Sequence, residues 1–186
     1  MVKVTPPETT KSQRTTEGIL VLPFTVLIDT REQLPWSFTG FTGANREWIV
    51  KTQSATLDTG DYTISGFEDR LAIERKSGDD FLGSIGGGHE RFRREHERMY
   101  EIAIMGGFAC VIIESSLDRL IAELADPTSG RRMVSETILG IVASWSQKYG
   151  VHFLFAGDRR TAESLALRVM MKFWEQRQPK QKDLFE

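Results

Sequence analysis

Two kinds of apolar pattern divide the chain between about residues 19 and 176. Thr25-Val26-Leu27-Ile28-Asp29 predicts a short strand. Residues 47–57 predict an extended segment, and residues 61–65 a strand after a Thr59-Gly60 turn. Residues 71–76, Leu-Ala-Ile-Glu-Arg-Lys, predict another, entered from the polar turn Glu68-Asp69-Arg70. Residues 109–114 and 151–155 are apolar almost throughout, which predicts central strands covered on both faces. Helical spacing takes over elsewhere. Phe92, His96, Met99 and Ala103 recur along residues 89–105. Val134, Ile138, Ile141, Trp145 and Tyr149 do so along 133–149, and Ala162, Leu165, Val169 and Phe173 along 158–176, where Asp158 or Thr161 can cap the start. A further helical stretch from about Ser116 ends at Asp126-Pro127. Strands first, then helix–strand–helix alternation, predict an α/β fold: a mixed central sheet with helices on both faces.

The flanks read differently. Residues 1–18 are rich in Pro, Thr, Ser, Lys and Glu without apolar periodicity, and predict a mobile arm. Residues 177–186 predict a polar tail. One domain, 19–176, lies between them, a reasonable size for a single core. No apolar run approaches the ~20 residues of a membrane span, and no secretory leader opens the chain. Cys110 is the one cysteine, so neither an internal disulfide nor a Cys-x-x-Cys zinc site is available. A cytoplasmic protein without membrane contact is expected, nucleoid-associated in a bacterium or in the host cytoplasm for a phage. The net charge of −2 and pI near 6.0 argue against a general nucleic-acid binder, unless the acids gather where cations reverse the local sign.

The chemistry concentrates between residues 29 and 80. Asp29 ends the first strand, with Arg31 and Glu32 just beyond it. Asp61 follows Gly60 at a turn, and Glu74-Arg75-Lys76 ends a strand, with Asp79 and Asp80 at a helix start. Residues i and i+2 of a strand share a face, so Glu74 and Lys76 point together and Arg75 away. A neighbouring strand can bring Asp61 close to Glu74. Packed carboxylates repel one another, and a hard, oxygen-seeking divalent cation relieves that repulsion. Lys76 beside such an ion could orient or deprotonate a water, or neutralise charge on a phosphate. Glu-x-Lys alone also arises as paired charges on a solvated strand. The flanking acids Asp29, Glu32, Asp61 and Asp80, in that order, make this instance more specific.

Gly60-Asp61, a gap, Glu74-Arg75-Lys76, three residues and Asp80 reproduce G-D-x(n)-E-R-K-x(3)-D. This resembles the signature of the XPF/MUS-type structure-specific DNA endonucleases. Residues 26–32 are similar to that family's first strand ending in D-x-R-E, and Phe81-Leu82-Gly83-Ser84-Ile85 resembles the segment after its motif. Arg91 sits where the family has an Arg, and Glu95 where it has a Gln. The resemblance covers about residues 25–175. It implies a restriction-endonuclease-like α/β/α nuclease core, Mg²⁺ or Mn²⁺, and branched DNA (flaps, forks, junctions) cut in repair, recombination or replication. By position, Asp29, Glu32, Asp61 and Glu74 would be metal-site acids and Lys76 the base or charge stabiliser. Arg75 and Asp80 would position the site. The tandem helix-hairpin-helix module usual in the family is not in this sequence, and pairing of nuclease domains into a homodimer is one substitute for its grip. A non-catalytic DNA-binding scaffold and a symmetric four-way-junction resolvase are the alternatives.

Arg91, Arg94 and Arg98 recur at helical spacing. They predict either phosphate contacts or salt bridges with the interleaved Glu90, Glu95, Glu97 and Glu101. Gly86-Gly87-Gly88 is either a loop that shifts for DNA or a plain connection. Trp36 is read as an exposed base-stacking aromatic or as a packing residue. His96 falls on an apolar stripe and reads as structural. In the tail, Gln181, Leu184 and Phe185 fall in a Q-x-[SD]-L-F sequence. It resembles the pentapeptide by which bacterial polymerases and repair proteins bind the sliding clamp, making a clamp a possible partner.

Overall fold

The computed structural model describes residues 18–43, 46–126, 128, 130 and 135–178. The expected arm at residues 1–17 and the clamp-like Gln181, Leu184 and Phe185 lie outside the described residues, as do Met133 and Val134. In chain order the elements are β1 (Ile19–Asp29), β2 (Phe41–Gly43), β3 (Arg46–Ala55), β4 (Tyr62–Ile64), β5 (Leu71–Lys76), α1 (Gly78–Ile85), α2 (His89–Ile104), β6 (Phe108–Ile113), α3 (Leu117–Ala125), α4 (Ser135–Tyr149), β7 (His152–Phe155) and α5 (Arg159–Arg177). The strands form one mixed sheet in the order β2-β3-β1-β4-β5-β6-β7. β1 runs parallel to β3 and antiparallel to β4, which is antiparallel to β5; β5, β6 and β7 are parallel.

Strand alternation sorts the core into two halves. Ile73 of β5 and Cys110 and Ile112 of β6 face α5, packing with Ala162, Ala166, Leu167 and Met170. Ala72, Ala109, Val111 and Ile113 face Phe81, Phe92, Met99 and Trp145 from the opposite helices. This is the expected α/β/α layering. The same period of two, carried past Ile73, directs Glu74 and Lys76 to the α2 side and Arg75 to the α5 side. Since β1, β5 and β6 run in one direction, Asp29, Lys76 and the residue after Ile113 all emerge at one rim of the sheet. Ligands of open α/β sheets gather at such a rim.

Two expectations change, and the open reading of Trp36 is decided. β1 starts at Ile19, not Thr25, and runs across Pro23; its pairing with β3 shifts register between Val21 and Thr25. A proline that cannot donate to the ladder is accommodated by that kind of irregularity. β7 is an edge strand, not a central one. Phe153 and Phe155 pack with Phe81 and Phe92 on one face and Leu154 with the α5 cluster on the other, which produces the same apolar run that a central position would. Trp36 is buried rather than exposed for base stacking. It lies against Tyr62 with ring centroids 4.6 Å apart, and its backbone N–H donates to the Tyr62 hydroxyl.

Candidate active site

Asp61 is set by backbone before side chain. Its N–H donates to Ile73 O at 2.8 Å, and its own carbonyl accepts from Asp29 N at 2.8 Å, so it is stitched between β1 and β5. Gly60 makes this approach possible. Its φ is +76°, and a Cβ there would lie 3.1 Å from Ile73 O and 3.2 Å from Ala72 Cβ. Gly60→Ala is expected to lower unfolding free energy by about 1–3 kcal/mol, read by urea denaturation, because strain and crowding coincide. The Asp61 carboxylate accepts from Arg75 N at 2.7 Å, bringing it across the end of β5.

Asp61 and Glu74 line one cleft of about 570 Å³, with Glu32, Arg75, Lys76, Asp80 and Arg91. Burial, reinforced by the nearby Glu74, pushes the Asp61 carboxyl up to about 8. Burial also raises Glu74, and Lys76 only partly offsets it. The Lys76 ammonium donates to Glu74 Oε1 at 2.7 Å and to Glu95 Oε2 at 3.3 Å. Burial works against that charge, but Glu74 and Glu95 outweigh it and hold Lys76 above its ordinary value. The resting lysine is a cation.

On the α5 side, Arg75 makes two bonds to Glu114, from Nε at 2.8 Å and Nη2 at 3.1 Å. Its Nη1 reaches Glu32 at 3.3 Å. Glu114 also accepts from Trp36 Nε1 at 2.9 Å and Arg159 Nη1 at 3.0 Å. This network fastens the loop after β1 to the ends of β5 and β6. Glu114→Ala would leave a largely buried guanidinium short of a counter-charge, and is expected to cost about 3 kcal/mol of stability by denaturant titration.

Asp29 is fully engaged behind the cleft. One oxygen accepts from Arg31 N and Nε, the other from Arg31 Nη2 and Leu57 N, all within 2.9 Å. Chiefly through the bonds from the Arg31 side chain, its carboxyl is pulled down to about 2.

Residues 28–167 match the family described as the ERCC4 domain. The chain belongs to the ERCC4-domain family. The fold agrees with solved structures of XPF from Aeropyrum pernix. One, at 21% identity and a TM-score of 0.56, aligns over 84% of this chain and 62% of that one. Another, XPF from the same organism in complex with DNA, gives 17% identity and a TM-score of 0.54 over 82% and 66%. The chain therefore spans less than two thirds of the first of these. No curated protein matches by sequence.

Within the ERCC4 domain, Asp80 acts locally as well as facing the cleft. Ser77 Oγ accepts from Asp80 N and donates to Asp80 Oδ2 at 2.7 Å, capping α1 immediately after the Glu74–Lys76 strand. Of the three arginines, Arg91 lines the cleft and donates to Glu95 at 3.3 Å. Arg94 pairs with Glu90 at 3.7 Å, and neither Arg94 nor Arg98 lines the cleft. The structure thus groups Glu32, Asp61, Glu74, Arg75, Lys76, Asp80 and Arg91, with Asp29 behind them. It adds Glu95 and Glu114, which the residue pattern did not single out as site residues. An acid ending an apolar strand is the signal for Glu114. His96 is buried among Phe92, Trp145 and Phe153, as its apolar stripe predicts.

The donors suit a hard ion. Among the described residues no group of three or more His, Cys, Asp or Glu is arranged to enclose a metal. Asp61 and Glu74 offer two carboxylates in one cleft, both raised by burial, with the Lys76 ammonium only partly offsetting that for Glu74. A site with few protein ligands and several waters is the pattern magnesium favours.

Proposed function

We propose that this ERCC4 domain is a divalent-cation-dependent endonuclease that hydrolyses DNA phosphodiesters near branches, in repair, recombination or replication. The observation that carries the reading is the meeting of Asp61, Glu74 and Lys76 in one cleft at the strand-end rim. Asp61 and Glu74 would hold Mg²⁺ or Mn²⁺, with Glu32 nearby on the same cleft. When bound, such an ion supplies Lewis acidity toward a phosphate oxygen and a water of lowered pKa. Lys76, held as an ammonium, serves better as a stabiliser of charge developing on phosphate than as a base. Arg75 fixes the strand end through Glu114 and Glu32. Asp29 orders the β1 terminus, and Arg91 stands at the mouth where a phosphate would enter. The solved relative in complex with DNA supports a DNA substrate.

A labelled panel of single strand, duplex, flap, fork and four-way junction tests this. Cleavage of branched DNA with Mg²⁺ or Mn²⁺, absent with chelator, is expected. Asp61→Ala should bind the same DNA without cutting it. Binding without cleavage by the unaltered chain would favour a scaffold. Symmetric paired cuts in the junction, together with a dimeric solution mass, would favour a resolvase. The clamp reading is tested separately: deletion of residues 181–186 should abolish clamp binding and spare cleavage.

A further inference from the structure

Lys76 occupies a place that the proposed cation needs. Its ammonium sits 2.7 Å from Glu74 Oε1, and a divalent ion on Glu74 would repel it. A second seat is within reach. Glu95 Oε2 lies 3.3 Å from the same Nζ. Glu95 comes from α2, so it is anchored independently of the strand that carries Glu74 and Lys76. Its other oxygen accepts from Arg91 Nε at 3.3 Å, which steadies the carboxylate. The Lys76, Glu74 and Glu95 side chains are each only 10–11% exposed, so water competes weakly for these charges. The Phe92 ring lies 5.5 Å from the ammonium and completes an apolar wall along which it stays close to its counter-charges.

We propose that Glu95 is a positioning residue for Lys76. It receives the ammonium when a cation engages Glu74, so the lysine stays beside the site instead of being expelled. Glutamine here would offer an oxygen without the charge, and aspartate the charge without the reach. The proposal rests on Asp61 and Glu74 as the cation site.

The test is Mn²⁺ binding to the full chain without DNA, followed by electron paramagnetic resonance. Glu95→Gln is expected to weaken binding about tenfold, a size typical of coupled neighbouring charges. Glu95→Asp should weaken it comparably. In a Lys76→Met background the effect of Glu95→Gln should shrink to less than about threefold, since no ammonium remains to be placed. Equal effects in both backgrounds, or wild-type binding by Glu95→Asp, would overturn the proposal and leave Glu95 acting through its charge alone. Should Glu95→Gln unfold, Glu95→Asp carries the same comparison. Mn²⁺ binding that is absent from the unaltered chain, or that survives Asp61→Asn, sinks the cation site itself and this inference with it. Binding that needs Asp61 but shows additive Glu95 and Lys76 effects sinks this inference alone.

Discussion

Lys76→Met is expected to lower the cleavage rate on forked DNA by about 10²–10³-fold, the scale of losing one preorganised charge from a phosphate-transfer site. DNA affinity should change little, because the ammonium lies in the cleft interior against Glu74 and Glu95 and not on the exposed surface. Lys76→Arg separates the two roles open to this residue. A guanidinium keeps positive charge but does not give up its proton in a protein. Partial activity in Lys76→Arg supports charge stabilisation, and loss equal to that of Lys76→Met supports proton transfer. Geometry favours the first outcome. In the cation-free chain the ammonium donates to both Glu74 and Glu95, an arrangement that keeps its charge beside the cleft. Single-turnover rates on a pre-bound fork would measure the chemical step apart from binding.

Much of this site is legible along the chain because the residues of β5 carry two messages at once. Leu71-Ala72-Ile73 marks a buried strand, and Glu74-Arg75-Lys76 places three charges where that strand reaches the rim. Burial of Glu74 and Lys76 against α2 follows from the same alternation. Glu114 is legible only once β6 is known to lie beside β5 in parallel, because its significance is its register next to Arg75. Trp36 carries no period, following Pro35 in a loop, so its burial depends on Tyr62 from a distant strand. The position of β7 at the edge has a similar cause. Residues 153–155 report covered faces, and the missing partner at the side leaves no mark on the sequence. Asp29 shows a different limit. Its neighbour Arg31 is two residues away, yet that both carboxylate oxygens are taken up by Arg31 and Leu57 is visible only in three dimensions. The matched motif gives the order of the acids, and the packing decides which of them face the cleft.

Asp61→Asn is expected to abolish cleavage and, without divalent cation, to make the protein more stable. The folded Asp61 carboxyl is raised to about 8 from an ordinary 3.8. Between those values the folded protein binds a proton that the unfolded chain has released. The associated stability is fully present below about pH 4 and is lost as pH rises toward 8. At pH 8 the native state carries a partly ionised Asp61 that is buried first and repelled by Glu74 second, a cost that asparagine removes. Its side-chain oxygen can still accept from Arg75 N, so the backbone stitch survives. In chelator at pH 8, Asn should raise unfolding free energy by about 1–3 kcal/mol, discounted from the full shift because the cleft is open to water. At pH 4 the gain should vanish. Added Mn²⁺ should reverse the order, stabilising the unaltered chain through binding to its folded state and leaving the variant unmoved. Urea titrations at both pH values, with and without Mn²⁺, measure all four quantities. If Asp61→Asn were no more stable at pH 8 in chelator, the cleft would not be holding Asp61 against its ionisation, and the physical case for a cation there would fail. A stabilised but inactive variant is what a functional site built from mutually repelling charges predicts.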